Sequence, residues 1–302
     1  MRLRFCGVRG STPAPGTAFA RVGGNTSCVA VTPHGEGAPR LLLDAGTGIR
    51  AVTPMLGGDP FRGTILLTHL HWDHWQGLPF FSAGDRDDSE VRLLVPAGSD
   101  QPLDVLRHAM SPPHFPIGPE GLKGHWSFGS IDLGTSTIEG LTVTAADVPH
   151  KGGRTLAYRV EDEGSSFAYL PDHLPARTDP ERRAALDLAA GVDLLIHDAQ
   201  FITGEEAVAA EYGHATIDQA LAFAIEVGAG ELVLFHHSPA RTDAQMERIA
   251  AALEASPITV SIAIEETDRD LPRPRALAAR RTSSGAATCP RLPSDLPPAW
   301  GR

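Results

Sequence analysis

Cysteine is scarce in this chain. There are three in 302 residues, Cys6, Cys28 and Cys289, too few and too scattered for a disulfide framework and without a C-x-x-C pair for a zinc ribbon. Cys6 and Cys28 lie in strand-like runs and read as buried apolar residues. No segment approaches the roughly 20 apolar residues of a membrane helix. The opening Met1–Gly7 has no apolar stretch of the kind a secretory signal carries. The expectation is a cytoplasmic protein with no membrane partner. No internal repeat is visible. Basic charge is also short, with 26 Lys and Arg against 37 Asp and Glu and a net charge of −11. Residues 267–302 hold seven of the arginines and three of the acids, leaving 19 basic and 34 acidic residues before them, a balance of −15. A body so acidic argues against a broad nucleic-acid footprint, which needs a basic face. It leaves open a small phosphate ester held through metal ions.

What is present is an ordinary globular composition, 42% hydrophobic and 21% charged, and enough length for a sizeable core. Strand-like runs come in succession early: 2–6, 27–32, 40–43, 64–67 and 91–95. They continue at 141–144, 155–160, 167–170, 193–196, 231–235 and 258–264. Helix signals enter among the later ones. Asp179-Pro180 opens a helix over 181–190 that Gly191 closes. Thr216 opens 217–227, with a buried stripe at Ala220, Leu221, Ala224 and Ile225. Thr242 or Asp243 opens a third helix, which ends near Ala255, before Pro257. This order suggests two sheets packed face to face with helices outside. Residues 1–266 read as one domain. Residues 267–302, rich in Pro, Arg and Ala, read as a disordered tail with little part in the chemistry. The Pro- and Gly-dense stretch 111–124 is expected to form an ordered loop near the site rim.

The most telling run is His69-Leu-His71-Trp-Asp73-His74, just past the apolar strand Ile65–Leu67. His69 and His71 alternate on one side of an extended chain, so both imidazoles can reach one ion. Asp73 and His74 follow where the chain turns and can aim at a second point nearby. Imidazoles with a carboxylate suit zinc, and also manganese, iron or nickel. The plain alternative is a histidine-rich surface loop, but crowding four such side chains at a strand end needs a cation to offset the cost. Three further candidates each end a strand-like run: His150, Asp172 and His236. Singly, each could be a turn or capping group. Together with the 69–74 cluster they point to one constellation. His237 would point the opposite way along a strand, so His236 is the expected ligand. His173 could line the pocket or face solvent.

Residues 1–265 resemble the metallo-β-lactamase superfamily, and within it the phosphodiesterase-like branch that includes cyclic-phosphate phosphodiesterases and ribonuclease Z. The likeness rests on the Gly-rich opening Gly7–Gly16 and Gly23–Cys28, on Asp44-Ala-Gly-Thr-Gly48, on the ungapped His69–His74 signature, and on His150, Asp172 and the Leu234–Pro239 segment. The resemblance implies an α/β fold, a four-layer αββα sandwich of two mixed β-sheets flanked by helices. It implies two divalent metal ions, zinc foremost, with Mn2+ or Fe2+ as alternatives. His69, His71 and His150 would take the first ion and Asp73, His74 and His236 the second. Asp172 would bridge them together with a water or hydroxide. Tyr212-Gly-His214-Ala-Thr216 resembles the branch's Gly-His-Ser/Thr segment, with Ala215 where Ser is common, and Leu195–Gln200 resembles its His-Glu-Ala-Thr segment, with Asp for Glu. Carried over, Asp198 would hold His214 and raise its basicity. His197 reads as a core histidine bonded to backbone.

On that reading Asp73, His214 and Asp198 are the candidate catalytic residues, and His214 would donate a proton to the departing alkoxide. The expected activity is that of a two-metal phosphodiesterase acting on a small phosphodiester, cyclic ones included. Lactone or carboxylic-ester hydrolysis and tRNA 3′-processing are the alternatives. The last predicts a basic, Gly/Pro-rich arm, and the sequence shows none. Asn25 and Arg9, in the Gly-rich N-terminal loops, are candidate phosphate contacts, with a turn-supporting role as the alternative for Asn25. Trp72, Trp75, Phe80 and Phe81 are as well suited to core packing as to a stacking surface. A homodimer is allowed for.

Overall fold

A computed structural model describes residues 1–98, 101–175, 179–271 and 273. Thirteen strands follow one another into two sheets: β1 (Arg2–Gly7), β2 (Cys28–Thr32), β3 (Leu41–Leu43), β4 (Arg62–Leu66), β5 (Glu90–Pro96) and β6 (His125–Ile131) in the first, then β7 (Gly134–Ile138), β8 (Leu141–Asp147), β9 (Leu156–Asp162), β10 (Ser165–Leu170), β11 (Leu194–Asp198), β12 (Glu231–Phe235) and β13 (Thr259–Ile262) in the second. A last strand, β14 (Asp268–Asp270), returns to the first sheet, antiparallel to β1. Each sheet has seven strands, ordered β14-β1-β2-β3-β4-β5-β6 and β13-β12-β11-β10-β9-β8-β7. Both are mixed. Strands β3 to β6 run parallel, as do β10 to β13, and the rest pair antiparallel.

Side-chain alternation decides which face meets which layer. Val29, Val31, Leu41, Leu43 and Leu66 turn inward and pack with Leu141, Val143, Tyr158, Val160, Phe167, Tyr169 and Leu234 of the second sheet. Their neighbours Cys28, Ala30, Leu42, Ile65 and Leu67 turn outward, under Ile49, Val52, Leu106 and Met110. The central strands are therefore apolar on both faces, as parallel strands buried between layers must be. Cys6 and Cys28 are free and buried, as expected.

The helices are α1 (Val52–Met55), α2 (Pro102–Arg107), α3 (Asp179–Ala189), α4 (Glu206–Tyr212), α5 (Ile217–Glu226) and α6 (Asp243–Leu253). α2 packs on β6, while α3, α5 and α6 pack on the second sheet, which makes a four-layer αββα sandwich. Thr216 with Gln219 and Thr242 with Gln245 close reciprocal caps at the starts of α5 and α6.

The expected boundary at 266 falls short, because β14 lies beyond it and is part of the first sheet. Its registered pairing with β1 ties these residues to the domain. Residues 274–302, with Cys289 and the rest of the expected tail, lie outside the described residues. β6 and β7 were not evident from sequence. β6 is an edge strand, and β7 (Gly-Thr-Ser-Thr-Ile) is exposed over most of its length, so neither shows a clean apolar pattern.

Candidate metal centre

The strand exits of both sheets open onto one edge of the sandwich, where ligands of α/β sheets gather. His69 to His74 leave β4. His150 follows β8, Asp172 follows β10, and His236 follows β12 directly. All seven expected ligands meet there. The donor atoms of His69, His71 and His150 lie within 4.8 Å of one another, as do those of Asp73, His74 and His236. Asp172 sits between the two groups. Its Oδ1 is 3.5 Å from His150 Nε2 and 4.0 Å from His69 Nε2, and its Oδ2 is 2.9 Å from His74 Nε2 and 3.4 Å from His236 Nε2.

The imidazoles of His69, His74 and His150 are aimed by what holds their other nitrogen. His74 Nδ1 donates to Asp44 Oδ2 at 2.8 Å, leaving Nε2 to face the carboxylates. Asp44 is itself fixed by the Thr68 amide and hydroxyl (2.8 and 3.0 Å) and by the Tyr169 hydroxyl (2.9 Å). The Thr68 hydroxyl proton is committed to Asp44, so the same oxygen accepts from His69 Nδ1 at 3.1 Å. His150 Nδ1 donates to the Gly213 carbonyl at 2.7 Å, and its Nε2 stands 3.2 Å from His71 Nδ1. Gly213 closes α4 in a left-handed conformation (φ 83°), and a side chain there would strike the Lys151 amide. The Ser11 amide donates to Asp73 Oδ2 at 2.7 Å. Gly10 is needed because a side chain there would collide with the His236 imidazole and Gln200.

The residues present fit metal ions. His69 Nε2, His74 Nε2 and Asp172 Oδ2 are buried and make no hydrogen bond, although His74 Nε2 and Asp172 Oδ2 are only 2.9 Å apart. Buried polar atoms left like this are costly unless a cation lies among them. The charges point the same way. Burial works against His74, yet Asp172, Asp73 and Asp44 raise it well above the ordinary histidine range. Burial and the charge of His74 push His69 well below it. Burial opposes ionisation of Asp73 and Asp172, but the histidines around them hold both carboxyls well below the usual range.

Beside this cluster, His214 Nδ1 donates to Asp198 Oδ2 at 2.8 Å. Asp198 is fully buried and also accepts from the amides of His173, Gln200 and Ala215. Burial disfavours the His214 cation, but Asp198, Asp172 and Asp73 more than offset that and raise it. His214 lines a cavity of about 610 Å³ together with His71, Trp72, Asp73, His150, Asp172 and His236. His197 donates to the Asp198 carbonyl, the backbone-bonded core role expected for it. His173 is neither pocket-lining nor solvent-facing; it is buried against His197 and Phe223. His237 turns away to the Ala263 carbonyl, which leaves His236 as the site residue.

The expected phosphate contacts do not hold. Arg9 is fully buried, its guanidinium spent on the carbonyls of Gly23, Ser238 and Arg241 and on Asp243, so it ties two loops together and reaches no substrate. The Asn25 amide and side chain both bind Glu265, which fixes a turn. The aromatic cluster divides: Trp75 and Phe81 are core, while Trp72 and Phe80 are exposed. Sequence reasoning missed the roles of Thr68, Tyr169 and the Gly213 carbonyl. Asp44 was visible as a turn residue, but its position beside the β4 exit also marked it as a partner for a ligand.

A two-sheet sandwich with an imidazole–carboxylate pocket at its edge defines a metal-dependent hydrolase. A family model described as β-lactamase superfamily domain matches residues 39–237, and the chain belongs to that superfamily. Ribonuclease Z of Natronomonas pharaonis is 27% identical over 286 residues, covering 79% of this chain and 87% of that protein. A diphosphatase of the PhnP family has the same fold, with a TM-score of 0.64 and 19% identity over 89% of this chain and 97% of its own. Zinc-bound PqqB of Methylobacterium extorquens also superimposes, with a TM-score of 0.64 and 23% identity over 90% of this chain and all of its own. Among the described residues no helix is long and apolar enough to cross a membrane.

Proposed function

We propose that the protein hydrolyses a small phosphodiester with two divalent metal ions, zinc foremost. His69, His71 and His150 would hold one ion, Asp73, His74 and His236 the other, and Asp172 would span the pair. When bound, such ions polarise the phosphoryl group and make a nucleophile available at neutral pH. The chain's own residues do the rest. Asp44 and Gly213 fix the ligand imidazoles. Asp198 holds the proton on His214 Nδ1, so that Nε2 of the protonated ring can give up its proton to the leaving oxygen. The observation that carries this reading is the His214–Asp198 hydrogen bond at the pocket wall. A lactone or ester has less need of a positioned acid than a phosphodiester with a poor leaving group. The ribonuclease Z relative supports phosphodiester chemistry by its name.

Parallel assays with bis(p-nitrophenyl) phosphate, 2′,3′-cyclic nucleotides and a homoserine lactone test the proposal. Turnover of the diesters is expected, and turnover of the lactone alone overturns it. The same relative favours a second reading, tRNA 3′-processing. The acidic balance of the body and the lack of a basic arm in the sequence count against it. Cleavage of a precursor tRNA at rates well above those on small diesters would reverse that order.

A further inference from the structure

Of the five exposed large apolar side chains among the described residues, three border the catalytic cavity or the cleft next to it. Trp72 and Tyr212 line the cavity, and Phe80 lies in the cleft. That cleft, about 260 Å³, is walled by Trp72, Trp75, Phe80, Met110 and Phe115. Trp72 lines both spaces, so its ring lies at the border between them. The floor is rigid core: Trp75 and Met110 are 6% and 2% exposed, and Trp75 Nε1 donates to the Leu70 carbonyl at 3.1 Å. The upper faces are open, with Trp72 71% and Phe80 57% exposed. The backbone of Trp72 and the ring of Phe80 are held. The Trp72 carbonyl accepts from the Trp75 and Gln76 amides at 3.1 and 2.8 Å, and Phe80 meets Phe115 edge-on at 6.0 Å. Between two expected ligands, His71 and Asp73, a tryptophan this exposed gains nothing for the fold. Apolar surface of this kind beside a polar reaction centre marks a binding surface.

Resting on the phosphodiester reading, we propose that Trp72 and Phe80 form a shelf for a flat aromatic group esterified to the substrate phosphate. The phosphoryl group lies among the histidines, and the ring stacks across Trp72 into the cleft. The room suffices, since a cavity of roughly 150 Å³ already admits benzene. Stacking of this kind is tolerant of ring identity, which fits aryl esters and nucleobases alike.

Calorimetric titration of the metal-loaded protein with phenylphosphonate and with methylphosphonate is the test. Both present the same head group. Phenylphosphonate is expected to bind about ten-fold or more tighter, from the usual worth of one stacked ring. Trp72→Ala should abolish the preference and leave methylphosphonate affinity and metal content unchanged, and Trp72→Phe should restore most of it. Adenosine 5′-monophosphate against ribose 5-phosphate separates a nucleobase from a simple aryl group. Equal affinity for the two phosphonates, or a preference that survives Trp72→Ala, overturns the shelf alone. Binding of neither overturns the phosphodiester reading and the shelf with it. A Trp72→Ala variant that changes only its sedimentation shows that a second copy covers this face, and also overturns the proposal.

Discussion

Two buried carboxylate–imidazole pairs, one anchored on each sheet, are built alike and placed differently. In each, a fully buried aspartate at the end of a parallel strand accepts a histidine Nδ1 at 2.8 Å: Asp44 with His74 on the first sheet, Asp198 with His214 on the second. His74 is completely enclosed, and its free nitrogen faces Asp73 and Asp172 at 3.3 and 2.9 Å. His214 stands at the cavity wall, and its Nδ1 comes no nearer than 3.7 Å to Asp172. The pairing is the same, but the setting differs: His74 is sealed among carboxylates, and His214 borders the cavity. On the proposed reading, one pair would make a better ligand and the other a proton donor.

Substitution distinguishes the two pairs. The largest effect is expected from Asp172→Ala, which should empty both ion sites and reduce turnover to background, read by elemental analysis and diester assay. Next comes His214→Ala. It should keep its metal and lose about 100- to 10,000-fold in kcat, the usual worth of a positioned acid, with the greatest loss on poor leaving groups. The two aspartates then separate the pairs. Asp44→Asn should weaken metal affinity by about 10- to 100-fold, as loss of a ligand's orienting partner does. Asp198→Asn should leave affinity unchanged and lower kcat by favouring the wrong His214 tautomer. Metal loss in both aspartate variants would erase the distinction.

His237 supplies the smallest effect and the contrast. It is as deep as His74 but bonds only a backbone carbonyl, and burial, helped by the Arg9 charge, pushes it down to about 3. The unfolded chain takes a proton near the ordinary histidine value of 6.5 that the folded chain refuses until about pH 3. Its contribution to stability is therefore full above the unfolded value and is lost as pH falls through that window. The urea midpoint should drop more steeply between about pH 6.5 and 5 in the native protein than in His237→Gln. Equal slopes would show that burial without a carboxylate does not separate His237 from His74.

The pairs also show what a sequence makes legible. The first sheet's candidate ligands are contiguous, and His69 to His74 could be read at once because one strand exit delivers them all. The second sheet delivers one residue per exit, so His150, Asp172 and His236 gained meaning only as a set, and Asp198 only through the resemblance of its segment. Arg9 and Asn25 misled because a glycine-rich loop looks like a phosphate cradle until its own hydrogen bonds are traced. Their partners, Ser238, Arg241 and Glu265, lie more than 200 residues away, and no local pattern announces them. The Gly213 carbonyl is a backbone group and leaves no side-chain signature. β14 was hidden by length: three residues, Asp-Arg-Asp, carry no apolar alternation.

The most direct test is the metal content of the purified protein beside that of His214→Ala. Two equivalents per chain are expected in both, with diester turnover lost only in the variant. One equivalent or fewer in the native protein, or a fall in metal on removing His214, would contradict the proposed roles.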